Sequence, residues 1–298
     1  MKQEEFARRR KTLMHMVGEG GIAILPSAPV RMRSRDVEYR FRQDSDFYYL
    51  TGFAEPNAVA VIVPGRPEGE FLIFCRERDA EKERWDGHRM GTGGAVEHHR
   101  ADDAFPIDDL DDILPGIMES CERVYYTMGQ YKDFDGRIAD WVNSLRSGGR
   151  QGLHTPQEFV ALDHLLHDMR LYKSRGEISA MRKSAKVAVA AHKRAMRTAR
   201  PGLYEYEVEA EFIHEFRRHD ARYSYSPIVA AGSNACTLHY VDNTAQLQDG
   251  QLLLIDAGCE LDYYASDITR TFPVNGKFTP EQRALYEIVL EAQIAAID

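Results

Sequence analysis

From residue 174 to residue 199 the apolar side chains Ile178, Met181, Ala185, Ala188 and Ala195, with His192 among them, recur at helical spacing and draw one stripe along a helix. Ser174-Arg-Gly-Glu177 starts it as a capping box, with a hydroxyl at the cap and a carboxylate three residues on, and Arg200-Pro-Gly202 stops it. Thr155-Pro-Gln-Glu158 carries the same box and predicts another helix just ahead of it. Residues 3–17, 133–146 and 204–219 read as further helices. Thr279-Pro-Glu-Gln282, with proline at the first helical position, launches a helix over 284–297. No C-cap follows that helix, so the natural fold is expected to continue past Asp298.

Elsewhere the pattern shortens. Residues 22–25, 47–51, 58–63, 70–75 and 123–128 are β-branched or aromatic runs bounded by Gly, Pro and Asn, and each predicts a strand. With helices between them, they make the first half an α/β layered domain. The carboxylate pairs at 102–103, 108–109 and 111–112 surround Ile107, Leu110, Ile113 and Leu114 at helical spacing, which is a solvated helix face. Gly91-Thr-Gly-Gly94 lacks the Gly-Lys-Ser/Thr ending of a phosphate loop and reads as a flexible loop. Ser147-Gly-Gly-Arg-Gln-Gly152 breaks the periodicity and puts a domain boundary near 150–175.

Beyond the helices the chain turns back to strands, at 223–231 and 236–240, and then to a hairpin formed by the apolar runs 252–255 and 263–271. Reversal around Leu261 and Asp262 sets Asp256 opposite Asp267. Directly opposed residues have Cβ atoms roughly 4.5–5.5 Å apart, and like charges there destabilise a hairpin. A divalent cation or a shared proton would offset the repulsion. The plainer alternatives are Asp256 as a turn former and Asp267 as a cap or exposed strand residue, and a bulge would separate the two. His239, one short loop earlier, then becomes a hydrogen-bond donor or proton carrier. His164 and His167, beside Asp163 and Asp168, read as polar surface more readily than as a metal pair, and His98-His99 falls in the expected loop.

Composition narrows the classes. At 298 residues, 43% apolar and 29% charged, the chain has room for two ordinary globular domains. A net charge of −9 argues against a general nucleic-acid binder, and Arg31, Arg33, Arg35, Arg40 and Arg42 alternate with acids as on a salt-bridged surface. Cys75, Cys121, Cys236 and Cys259 show no Cys-x-x-Cys spacing. The first apolar run, 22–25, is too short for a signal core or a membrane span, so a cytoplasmic location is expected.

Tyr39-Arg-Phe-Arg-Gln-Asp-Ser-Asp46-Phe-Tyr-Tyr-Leu-Thr-Gly-Phe53, Met169-Arg-Leu-Tyr-Lys-Ser174, Leu238-His-Tyr240 and the stretch from Leu254-Ile-Asp-Ala-Gly-Cys259 to Asp267-Ile-Thr-Arg-Thr-Phe-Pro-Val274 together resemble the bacterial Xaa-Pro aminopeptidases (aminopeptidase P). These belong to the creatinase and methionine aminopeptidase-like pita-bread group. The resemblance implies an α/β N-terminal domain over 1–172, a mixed sheet with flanking helices. An incomplete α+β pita-bread catalytic domain over 173–298 follows it. It implies a metallopeptidase that releases the N-terminal residue from peptides with proline second, by attack of a hydroxide bridging two divalent ions, usually Mn²⁺. Asp256 and Asp267 match the first two metal-binding carboxylates, and His239 an active-site histidine that stabilises the tetrahedral intermediate. Tyr225 matches an active-site tyrosine, and Trp85 a residue that approaches a neighbouring subunit's active site in a dimer or tetramer. The family's remaining ligands, one His and two Glu, and its second active-site histidine fall after the helix at which this sequence stops, so the chain as it stands is expected to lack much of its site. Prolidase is the nearest alternative, followed by a metal-free creatinase-like hydrolase and a non-catalytic truncated protein that oligomerises or binds.

Overall fold

Ile22 and Ile24 of β1 (Gly21–Pro26) point into one core, Ala23 and Leu25 into another, and all four are buried. β2 (Val59–Ile62) and β3 (Phe71–Cys75) are likewise buried on both faces, so their sequences run apolar without alternation, as a sheet covered on both sides requires. The computed structural model describes residues 1–119 and 121–297, with backbone alone at Gln151. It divides into two compact units, Met1–Lys173 and Ser174–Asp298.

In the first unit β4 (Asp103–Pro106), β5 (Arg123–Tyr125) and β6 (Glu158–Val160) complete a six-stranded sheet ordered β4-β3-β2-β1-β5-β6. β2 is antiparallel to both its neighbours, and the outer pairings are parallel, so the sheet is mixed. One face is covered by α1 (Gln3–Val17), α2 (Ser45–Thr51), α4 (Gly91–His99) and α7 (Leu162–Leu171), through Leu13, Phe47, Leu50, Ala95, Leu162 and Leu166. The other is covered by α5 (Leu110–Met118) and α6 (Lys132–Ser147), through Leu110, Leu114, Ile138, Trp141 and Leu145. α3 (Ala80–Asp86) buries none of its residues.

In this unit four expected elements come out differently, each for a local reason. The pair at 102–103 is not on a helix face: Asp103 begins β4, and the Asp102 carboxylate accepts from the amides of Glu70 and Phe71, each at 2.9 Å. Residues 47–51 are helical despite their β-favouring composition: the Asp44 carboxylate accepts from the amides of Asp46 and Phe47, each at 2.9 Å, and Gly52 closes the turn at φ 65°. Gly91 to Gly94 open α4 rather than a loop, because Ala95 and His99 behind them are buried in the core. Consequently His98 and His99 are helical, and burial depresses the His99 imidazole pKa. Thr155 to Glu158 start no helix; the Gln157 amide donates to Glu122 at 2.8 Å and Glu158 extends the sheet edge opposite Arg123.

Two arginines of α1 reach into this core. Arg10, 3% exposed, donates to the Leu50 carbonyl at 2.9 Å and the His99 carbonyl at 3.3 Å, and stacks 4.0 Å from the Phe71 ring centroid. Burial lowers its pKa to about 10. The two carbonyls lie at the ends of α2 and α4, where a helix leaves acceptors without internal donors. Arg10→Met keeps the volume and removes the donors; we expect a loss of about 2–4 kcal/mol in urea unfolding. An unchanged midpoint would show that water replaces the guanidinium at no cost.

In the second unit α8 (Arg175–Thr198) and α9 (Glu205–Arg218) bury Ala188, Ala191, Ala195, Phe212 and Phe216. They share that core with β8 (Ile228–Ala231) and β9 (Leu252–Asp256). The α8 capping box is formed in full, Ser174 and Glu177 each accepting the other's amide. β9 lies between β8 and β12 (Thr269–Pro273), and a second small sheet is ordered β11-β10-β7 from β7 (Arg222–Tyr223), β10 (Cys259–Leu261) and β11 (Tyr264–Ala265). Residues 236–240 are not a strand: a 3-10 turn ends at Cys236 and a loop follows. The β8 amide of Val229 donates to the Asn243 side chain at 3.0 Å, so a side chain serves it where a neighbouring strand was expected. α10 (Pro280–Ile297) starts on a Thr279–Gln282 box and buries none of its described residues.

Candidate metal centre

Leu261 pairs with Tyr264 across a two-residue turn in which Asp262 and Tyr263 both have positive φ, 52° and 67°. This is the primed turn whose twist matches antiparallel strands. Its centre lies one place later than the sequence suggests, so every pairing moves by two, and Asp256 stands opposite Thr269 rather than Asp267. A shift of two keeps the side-chain face. The Ala257 amide donates to Ile268 at 3.1 Å and the Ser266 amide to Cys259 at 2.8 Å, which brackets Asp267 beside Gly258, diagonally across from Asp256.

One side chain spans the pair. The Tyr225 hydroxyl contacts Asp256 Oδ1 and, at 2.9 Å, Asp267 Oδ1. Burial, and then hydrogen bonding to the two carboxylates, pushes the phenol pKa far up, so the group keeps its proton. A hydroxyl carries a single proton and can satisfy one carboxylate at a time. The second anion is left to a shared proton or a cation, and carboxylate oxygens suit a hard divalent ion. The donor set therefore fits such an ion in kind. It does not complete a site: among the described residues no group of three or more His, Cys, Asp or Glu is placed to hold one.

The backbone behind the carboxylates is held by residues with no obvious motif. A Cβ on Gly258 would lie 1.7 Å from the Ser266 carbonyl oxygen, so only glycine allows the two segments to cross there. Ser184 of α8, fully buried, donates to the Cys259 carbonyl at 2.7 Å, and the Cys259 amide donates to Ser266 Oγ at 3.0 Å. His192, on the stripe that the periodicity marked as core, points Nε2 at the Ala257 carbonyl at 3.1 Å, while burial lowers its pKa. The neutral ring donates one residue from Asp256. The small or polar breaks in the α8 stripe are the signal in the sequence that could have found these supports.

Tyr225, Asp256 and Asp267 are thus brought together. His239 lies in the same unit on an exposed loop, and Trp85 lies on α3 of the other unit with 90% of its surface exposed. His164 bonds locally to the Ala161 carbonyl at 2.5 Å, as a surface histidine does.

Residues 6–125 match the aminopeptidase P N-terminal domain, and residues 179–298 match metallopeptidase family M24. The Xaa-Pro aminopeptidase of Escherichia coli K12 is 43% identical over 98% of this chain and 67% of its own length. A solved aminopeptidase of Pseudomonas aeruginosa superposes with a TM-score of 0.98 at 60% identity, covering 99% of this chain and 67% of that one. Zinc-substituted Escherichia coli aminopeptidase P in complex with product gives a TM-score of 0.95 at 43% identity, covering 98% and 67%. Fold and family models define a metallopeptidase with a distinct N-terminal domain and a pita-bread unit. The chain belongs to the Xaa-Pro aminopeptidase family, whose members are hydrolases, and it spans about two thirds of the length of these relatives.

Proposed function

We propose that the protein releases the N-terminal residue from peptides with proline in second position, using two divalent ions, Mn²⁺ in the cell. The convergence of Asp256 and Asp267 on the Tyr225 hydroxyl carries this reading, together with the family the chain belongs to. Asp256 and Asp267 supply oxygen ligands, and ligands from outside the described residues complete the set. Bound there, the ions supply Lewis acidity toward the scissile carbonyl and lower the pKa of the attacking water.

The chain's own residues do the rest. Tyr225 donates its hydroxyl proton to the carboxylate pair and orients it. His239, exposed on its loop, offers an imidazole N–H to the oxygen that becomes negative as the carbonyl is attacked. Trp85, with its ring in solvent, contacts peptide within a homo-oligomer. No helix of the described residues is long and apolar enough to cross a membrane. The proposed enzyme works in the cytoplasm.

The test uses the protein as its host makes it, stripped of metal and then supplied with Mn²⁺. Release of the first residue from an Xaa-Pro-Xaa tripeptide, absent with Xaa-Ala-Xaa and lost on chelation, is expected. Cleavage confined to Xaa-Pro dipeptides would reassign it to prolidase chemistry, and activity that survives chelation would remove the ions from the reaction.

A further inference from the structure

Glu205 opens α9 and is fully buried. Its Oε1 accepts from the Ala231 amide at 2.7 Å and from Asn234 Nδ2 at 3.0 Å, and its Oε2 accepts from the Tyr240 hydroxyl at 2.7 Å and from the Ala245 amide at 2.8 Å. Each oxygen thus takes two donors, which fills the acceptor capacity of a carboxylate. The donors come from both arms of a single excursion of chain: 231 and 234 enter it, 240 and 245 leave it. A backbone bond from the Glu205 amide to the Ala245 carbonyl, at 2.9 Å, ties the outgoing arm a second time.

Between the arms residues 237–239 stand exposed, Leu238 at 88%, and His239 adjoins the tethered Tyr240. The buried Asn243 also holds the outgoing arm, accepting from the Val229 amide at 3.0 Å and donating to Glu209 and to the Pro227 carbonyl, each at 2.9 Å. Of these two buried groups Glu205 alone takes donors from both arms, so the direction of the exposed tip is set at that clamp. We infer that Glu205 is a positioning residue for His239, fixing the loop 232–245 so that the imidazole is presented at one orientation. The inference rests on the role given to His239 above. Glutamine at 205 has the same size but only one acceptor oxygen, and it would turn an NH₂ group against two donors.

The experiment compares Glu205→Gln, Tyr240→Phe, His239→Ala and the Glu205→Gln/His239→Ala pair, all in the protein as its host makes it. Peptide-resolved hydrogen exchange should rise about tenfold or more across 232–245 in Glu205→Gln while α8 and β9 keep their protection, with a smaller rise confined to the same peptides in Tyr240→Phe. With Mn²⁺ and an Xaa-Pro peptide, Glu205→Gln should lower kcat about tenfold with KM within about twofold, and the double variant should be no slower than His239→Ala alone. Exchange that rises evenly over 174–297, or does not rise, overturns the inference. So does a double variant whose losses add. Full activity in His239→Ala would instead overturn the role of His239 itself, and this inference with it. The additive result beside an impaired His239→Ala overturns this inference alone.

Discussion

Gly258→Ala is expected to unfold the carboxylate crossing and to cost about 3 kcal/mol or more in denaturant unfolding of the second unit, with loss of Mn²⁺ binding. The added methyl would sit 1.7 Å from the Ser266 oxygen, 2.5 Å from its carbonyl carbon and 2.9 Å from Ser224 Oγ. The oxygen cannot retreat freely, because Ser224 Oγ donates to it at 2.9 Å and bonds at Ala257 and Cys259 hold the strands on either side. Gly276→Ala makes the control. Gly276 has φ 75° with nothing within 4 Å of a new Cβ, so it pays only the conformational penalty of about 1 kcal/mol. If the two variants unfold at the same denaturant concentration, the strands part around the new methyl at little cost and the close approach does not dictate glycine at 258, since Gly258 itself is not at a positive φ.

The same residues show which features could be read from the chain. The α8 boundaries were legible because a capping box and a Pro-Gly stop act locally, and both formed as written. The sheet strands of the first unit were legible because burial on both faces leaves long apolar runs. Residues 47–51 were not, since their helix is decided by Asp44, Gly52 and two arginines of α1 whose contacts lie about forty residues away in sequence. The Thr155 box failed for a related reason: a vacant sheet edge at Glu122 and Arg123 took its amides.

At the site, Asp256 and Asp267 stood out as a repelling pair, and the structure keeps them near each other despite a register displaced by two. Tyr225 was visible only through the family resemblance, because nothing in its spacing indicates that its hydroxyl spans both carboxylates. Gly258 and Glu205 act on other segments, and a one-dimensional pattern holds no trace of those contacts, whereas Ser184 and His192 mark themselves in the sequence only as polar breaks in the α8 stripe.

Asp256→Asn should move stability in opposite directions with and without metal. In the metal-free protein a single phenolic proton faces two carboxylates, so one charge stands insufficiently compensated. Two like charges a few ångströms apart at the protein surface repel by about 1–4 kcal/mol, and an amide at 256 removes that repulsion while its NH₂ group can donate to Asp267. The metal-free variant is therefore expected to melt a few degrees higher than the unsubstituted protein, roughly 2–4 °C per kcal/mol recovered. With Mn²⁺ the order should reverse. An ion present at about 100 times its dissociation constant stabilises the protein that binds it by about 2.7 kcal/mol, and a variant that has lost a ligand gains nothing. Differential scanning calorimetry with and without Mn²⁺ reads both signs in one experiment. Asp267→Asn should show the same reversal with a smaller metal-free rise, because Asp267 is exposed and Asp256 half-buried. If Asp256→Asn melts lower in both conditions, the carboxylates already share a proton, the pair is a structural hydrogen-bonded dyad, and the ions must be held elsewhere.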